Sequence, residues 1–288
     1  MAQNITMNPT ISVIMPCYNQ AKYMSEALQS LLDQDYPDWE CIIVNDGSPD
    51  NTEEVAKAWV EKDKRFKYFW KANSGVCDTR NYGVSQASGE YLVPLDGDDR
   101  LGSYYFSEAI KTFNNNPNIK LIYSDTILFG DKNERVINPE FVFKKMITEN
   151  QIHNSAIFKK ADFLEAGGYN LNMFDGIEDW DFYLSLIKPD DEVVKLNAFH
   201  YYYRIKEVSR SMRIFHESEK NDAMLLQMFK NHIPLFLEYF NPIRDKIQAE
   251  TYKKELYWHY HTIDYRIGRI ICTPLRSIKR FFGKFLSK

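Results

Sequence analysis

The sequence predicts an α/β fold: a mostly parallel sheet with helices on both faces, followed by a helical extension. Three observations carry this. Short apolar runs alternate with helical patterns through the first hundred residues, three of those runs end in polar, turn-forming clusters, and almost everything after Ile214 shows helical character. Strand and helix in alternation imply right-handed crossovers and a sheet covered on both sides.

Taken in order, Ile11 to Pro16 is a continuous apolar run that reads as a buried strand, and Met24, Ala27, Leu28, Leu31 and Leu32 then recur at helical spacing. Trp39 to Val44 is a second strand, ending at Asn45-Asp46-Gly47-Ser48. Pro49 to Asp63 reads as a helix, with Asp50 or Asn51 as cap and Glu53 and Glu54 in the first turn. A third strand, Phe66 to Trp70, precedes a helical segment from Val76 to Ala87, and a fourth, Tyr91 to Leu95, runs into Asp96-Gly97-Asp98-Asp99. Between Ile119 and Arg204 the pattern is mixed, with strands over Leu121 to Phe129 and Val193 to Tyr203 and a short helix over Glu178 to Ile187. A boundary falls near residue 215, giving a domain over 1–215 and a helical extension over 216–288.

Composition narrows the function classes. Hydrophobic residues at 44% and charged residues at 26% are ordinary globular values, which excludes a disordered or collagen-like chain. Aromatics at 15% point to ring-lined surfaces or sugar-stacking positions. The net charge of -4 argues against a surface built to grip nucleic acid. That charge is unevenly shared: residues 264–288 carry +6, leaving -10 for residues 1–263. Cys17, Cys41, Cys77 and Cys272 are scattered without metal or disulfide spacing, so the expectation is a reduced cytosolic protein without structural zinc. The first ten residues show no leader pattern, and no stretch approaches 18 uninterrupted apolar residues.

In open α/β sheets ligands bind beyond the carboxyl ends of the strands. The strand-end clusters Cys17-Tyr18-Asn19, Asn45 to Ser48 and Asp96 to Asp99 should therefore meet at one edge. Three carboxylates within four residues read either as a solvated acidic turn or as a site for a hard divalent cation; the position after a buried strand favours the cation site. Glu178-Asp179-Trp180-Asp181 opens a short helix, where acids are stabilised by the dipole, yet Gly167, Gly168 and Gly176 just before it would let a loop deliver one carboxylate into a cleft. Arg80 could bind a diphosphate or pair with an acid. No Gly-rich phosphate cradle occurs.

These residues sit in ordered blocks: VIMPCYNQ, IIVNDGSPDNT, NSGVCDTRNYGVSQASGEYLVPLDGDD, HNSAIFKKADFLEAGGYN, GIEDWDFYLSL and YYYRIKEVSRS. Over residues 10–212 the chain resembles glycosyltransferase family 2, inverting enzymes of GT-A fold that use nucleotide-diphosphate sugars. The resemblance implies a metal-assisted single displacement, with Mn²⁺ or Mg²⁺ as cofactor and a UDP-sugar as donor. By position, Pro16 and Tyr18 resemble the contacts to the base and Asp46 the acceptor of a uracil hydrogen bond. Asn73 and Arg80 resemble the nucleotide-binding pair, Asp96 the residue at the ribose or sugar, and Asp98 the direct metal ligand with Asp99 in support. Asp179 resembles the catalytic base, and Arg204 a residue near the diphosphate. Two positions depart from the family pattern: Asn45 replaces an Asp, and Lys206 stands where a His is common. Alternatives are a sugar-nucleotide nucleotidyltransferase and a non-catalytic nucleotide-sugar-binding protein. The family also implies a saccharide or lipid-linked acceptor in cell-surface polysaccharide or glycolipid synthesis.

Thr273-Pro274 reads as a helix start. Beyond it Leu275, Ile278, Phe281, Phe282, Phe285 and Leu286 share one arc, and Arg276, Lys279, Arg280, Lys284 and Lys288 the complementary arc. A basic amphipathic helix of this kind fits an anionic membrane surface, here the inner face; packing on the core and a homo-oligomer contact are the alternatives. Co-sedimentation with anionic liposomes should fall sharply on removing residues 273–288, and equal binding by both chains would rule the anchor out.

Overall fold

The computed structural model describes residues 9–206, 218–240 and 242–262. β1 (Ile11–Cys17) and β2 (Trp39–Asp46) are buried along their whole length, as continuous apolar runs require in a two-sided sheet. β1 pairs in parallel with β2 on one side and β4 (Tyr91–Pro94) on the other, and β2 pairs in parallel with β3 (Phe66–Lys71). Beyond β4 the sheet becomes mixed. β8 (Ile157–Lys159) is antiparallel to both β4 and β6 (Ile119–Gly130), whereas β6 runs parallel to β9 (Glu192–Ile205). The two-residue β5 (Arg100–Leu101) closes the far edge on β9, and β7 (Glu134–Val136) pairs with β6. The order is β3-β2-β1-β4-β8-β6-β9-β5. The expected α/β sheet is thus present; β5, β7 and β8 are two or three residues long, too short to carry a periodic pattern.

Helices cover the sheet. α1 (Ala21–Leu32) buries Met24, Ala27, Leu28 and Leu31, the stripe its spacing predicts. α2 (Thr52–Lys62) buries Ala56 and Trp59. α4 (Tyr105–Asn115) buries Tyr105, Phe106, Ala109, Ile110 and Phe113 and was not anticipated, although its spacing is helical. α5 (Phe143–Met146) and α6 (Lys160–Glu165) are single turns or little more, and α7 (Glu178–Leu186) follows the expected range closely.

The chain divides into two compact units, Met1–Ile233 and Pro234–Lys288. The boundary expected near residue 215 lies outside the described residues. α8 (Ser218–Asn231) belongs to the first unit: Met224 and Met228 are buried, and Asn231 Nδ2 and His232 Nε2 lie 2.8 and 3.0 Å from the fully buried Asp181 Oδ1. α9 (Ile233–Tyr239) spans the division, and α10 (Pro242–His261) carries Tyr252, Tyr257, Trp258 and Tyr260 exposed rather than buried. No helix among the described residues is long and apolar enough to cross a membrane. The basic segment 273–288 lies outside the described residues.

α3 (Val76–Gln86) is the helix that places the site, and it is barely amphipathic, burying Cys77, Thr79, Arg80, Gly83 and Val84. It reaches the sheet closely because Gly83 has no side chain: a Cβ there would lie 2.6 Å from Ile14 Cγ2 and 3.3 Å from Val44 Cγ2. Ile14 is fully buried and has no room to yield. Gly83→Ala would gain about 1 kcal/mol in an exposed helix. Here it should cost about 1–3 kcal/mol by overpacking, read from the urea midpoint.

Candidate active site

The carboxyl ends of β1, β2 and β4 open into one cleft of about 660 Å³. Its lining includes Pro16, Tyr18, Asp46, Asn73, Arg80, Asp96, Asp98, Asp99 and Arg204, together with Phe174, Tyr203 and Lys206. The cleft thus collects every residue that the family resemblance assigned to nucleotide or metal. Asp179 is not among the lining residues.

Asp46, the last residue of β2, is buried and shapes the loop opposite. Its carboxylate accepts hydrogen bonds from Ser74 N at 3.0 Å, Gly75 N at 2.9 Å and Lys71 Nζ at 2.8 Å. Asn73 Nδ2 donates to the Asp46 carbonyl oxygen at 3.0 Å. Since an ionised carboxylate offers about four lone-pair directions, Asp46 retains about one for a ligand. Asn45 explains its own departure from the family pattern. Its amide donates to Tyr68 Oη at 3.0 Å and accepts from Ser48 N at 2.9 Å, so one side chain serves as donor and acceptor at once.

The acidic turn after β4 is compensated residue by residue. Arg80 Nη2 donates to Asp96 Oδ1 at 2.8 Å, and Arg80 Nη1 donates to Glu178 Oε1 at 2.8 Å. The guanidinium is 2% exposed, so it bridges the turn to the start of α7 from a buried position. Asp99 lines the cleft but is almost wholly buried: Tyr201 Oη donates to one oxygen at 2.5 Å and Arg204 N to the other at 2.8 Å. Burial, with Asp98 and Asp96 adjacent, holds its carboxyl well above the usual carboxylate range. Asp98 forms an ion pair with Lys206, and its carbonyl oxygen accepts from Arg204 Nε at 2.8 Å. Arg204 is held further by Glu26 at 2.9 Å and by the rings of Phe129 and Tyr23, 4.3 and 4.7 Å from its guanidinium carbon.

Among the described residues no three His, Cys, Asp or Glu side chains converge to hold a metal by themselves. The cleft still suits a cation carried partly by substrate. Asp98 presents a hard oxygen there, and Mg²⁺-type ions are commonly held by one or two carboxylates together with substrate phosphates and water.

Asp179 is the second residue of α7, a helix that begins directly after Ile177, whose φ of 51° is rare for a β-branched residue. Strain of about 1–3 kcal/mol is typical of such positions and tends to gather at functional sites. Trp180 N donates to Asp179 Oδ1 at 2.8 Å, and Asn150 Nδ2 approaches Oδ2 at 3.4 Å. Burial and the neighbouring Glu178 carboxylate push its pKa up to about 6. Glu178, Tyr201 and Glu26 carry the packing of this site yet were given no role from the sequence. Only Glu178 left a trace there, as part of the acidic run at the start of α7.

Removing Arg80 would leave Asp96 and Glu178 without their shared counter-charge. Arg80→Met should therefore destabilise the fold by about 3–5 kcal/mol, measured by urea unfolding.

The sequence profile described as Glycosyl transferase family 2 matches residues 12–167. The minor teichoic acid biosynthesis protein GgaB of Bacillus subtilis is 30% identical over 257 residues, spanning 81% of this chain and 28% of that protein. Staphylococcus aureus TarS 1–349 in complex with UDP-GlcNAc superposes with a TM-score of 0.58 at 20% identity, over 79% of this chain and 73% of the other. The mannosyltransferase PcManGT of Pyrobaculum calidifontis, in complex with GDP-Man and Mn²⁺, gives 0.57 at 17% identity over 97% and 89%. The two superpositions show the fold, and the profile match over more than half of the sequence places the chain in glycosyl transferase family 2.

Proposed function

We propose that this chain transfers a sugar from a nucleotide-diphosphate sugar, a UDP-sugar, to an acceptor hydroxyl with inversion at the anomeric carbon. The carrying observation is the single cleft in which three strand ends gather Asp46, Asp96, Asp98 and Arg204. The donor class is supported by the UDP-GlcNAc held by TarS on a similar fold. Cell-surface polysaccharide or glycolipid synthesis, with a saccharide or lipid-linked acceptor, is supported by the likeness to GgaB. A membrane-facing location rests on the basic pattern of residues 273–288.

In this reading the rim formed by Pro16, Tyr18, Asp46 and Asn73 receives the nucleoside. Asp96 meets the ribose or the sugar, and its tie to Arg80 fixes where its free oxygen points. Asp98 would hold a divalent cation, whose charge would help neutralise the leaving diphosphate. Arg204, immobilised through Asp98, Asp99 and Glu26, offers preorganised positive charge close by. Asp179 takes the proton from the attacking hydroxyl. A base performs best with a pKa near working pH, and a value of about 6 leaves Asp179 ionised at neutral pH yet more basic than an ordinary aspartate. The Glu178-Arg80-Asp96 chain ties the helix bearing this base to the turn that holds the donor.

Two outcomes test the base. Asp179→Asn should lower transfer by roughly 10²–10⁴ while donor affinity changes little, and transfer above about a tenth of wild type would reject the assignment. Because Asp179 acts ionised and its pKa is raised to about 6, kcat/KM in wild type should rise with pH to a plateau above about pH 6. The residual activity of Asp179→Asn should lack that limb in a pH-rate profile.

A further inference from the structure

We propose that Lys206 is a resident counter-ion of Asp98 that exchanges with the divalent cation: as the metal and donor enter, its ammonium leaves the carboxylate and moves onto the terminal phosphate of the diphosphate. The inference rests on the nucleotide-sugar reading above and assigns a positioning and neutralising role to a residue that departs from the family pattern.

Each acid of the turn has a distinct partner: Asp96 has Arg80, Asp99 has Tyr201 and the Arg204 amide, and Asp98 has Lys206. Of these cations Lys206 has the fewest restraints, one ion pair and one ring contact. Arg80 is locked between two carboxylates, and Arg204 is fixed by its amide, its Nε and its contact with Glu26. Lys206 follows the last residue of β9, keeps 24% of its side chain exposed, and lies over the Tyr23 ring at 5.0 Å. Its flexible stem carries a compact point charge, suited to moving between two anions without breaking a bidentate geometry.

Charge balance gives the exchange its direction. Asp98 with Lys206 is a neutral pair, so a divalent cation approaching the donor-free cleft meets a carboxylate already compensated. The donor diphosphate brings two negative charges. Together with Asp98 they are matched by a divalent cation plus the ammonium, each then in contact with phosphate. As the bond to the sugar breaks, the departing diphosphate gains a further negative charge and keeps the bonding electron pair. Lys206 transfers no proton in this scheme and acts only through charge and hydrogen bonding. A single side chain therefore weakens metal binding in the donor-free protein and strengthens diphosphate binding without metal, and these opposite signs distinguish exchange from simple packing.

The test uses the full chain. Calorimetry with UDP and UMP in EDTA is paired with Mn²⁺ titration of nucleotide-free protein followed by electron paramagnetic resonance. Lys206→Met should lose about tenfold in UDP affinity in EDTA, the worth of one charge-assisted hydrogen bond. Its UMP affinity should stay within about twofold, which also reports an intact cleft, since UMP lacks the terminal phosphate. The same variant should take up Mn²⁺ about tenfold more tightly, because Asp98 has lost its competitor. Lys206→Arg should retain the UDP affinity of wild type. Should Lys206→Met lose UMP binding, Lys206→Gln, which can still donate to Asp98, takes its place in both measurements. Unchanged UDP affinity in EDTA, or Mn²⁺ uptake no tighter than wild type, overturns the exchange while leaving the nucleotide reading standing. Wild-type chain that binds neither UDP nor UMP overturns both.

Discussion

Three carboxylates within four residues at the end of a buried strand repel one another, and the arrangement of the cleft follows from how that repulsion is relieved. Each acid is met from a different direction: α3 contributes Arg80 to Asp96, the end of β9 contributes Lys206 to Asp98, and Tyr201 with the Arg204 amide meets Asp99. The turn can hold this shape only while α3, β4 and β9 keep their places. α3 keeps its place because Gly83 lets it sit against Ile14 and Val44. A packing detail on one side of the sheet thereby fixes an electrostatic arrangement at its edge.

The same compensation extends to the helix that carries Asp179. Arg80 divides its guanidinium between Asp96 and Glu178, so the start of α7 is tied to the acidic turn by charge-assisted hydrogen bonds in a buried setting. The other side of α7 is held through Asp181, which accepts from Asn170 Nδ2 at 2.9 Å and Asn231 Nδ2 at 2.8 Å, with His232 Nε2 at 3.0 Å. A helix of nine residues with little intrinsic stability is thus anchored from two directions. Positional precision at Asp179 comes from those anchors, and the left-handed backbone at Ile177 is sustained by them.

Much of this was legible in the residues. The four apolar runs of the first half, the α1 stripe and the range of α7 are local patterns, set by burial on one face or two. α4 was equally legible, since Tyr105, Phe106, Ala109, Ile110 and Phe113 recur at helical spacing. β5, β7 and β8 were not legible: at two or three residues they owe their extended form to neighbours far away in the chain. Among site residues the acidic turn announced itself through charge density. Tyr201 and Glu26 did not, because nothing local marks a tyrosine or a surface glutamate as the partner of a residue 102 or 178 positions away.

By itself the sequence determined the alternating α/β architecture, the sheet edge at which polar clusters gather, the family, and the list of residues at that edge. These follow from periodicity, turn chemistry and ordered motifs, all of which are short-range. Tertiary structure decided how those residues share their charges. It made Arg80 a buried bridge between two acids, turned Asp99 inward onto Tyr201, and set Lys206 against Asp98. Such pairings depend on distances between strands and helices remote in sequence, and Coulomb and hydrogen-bond energies act on those distances alone.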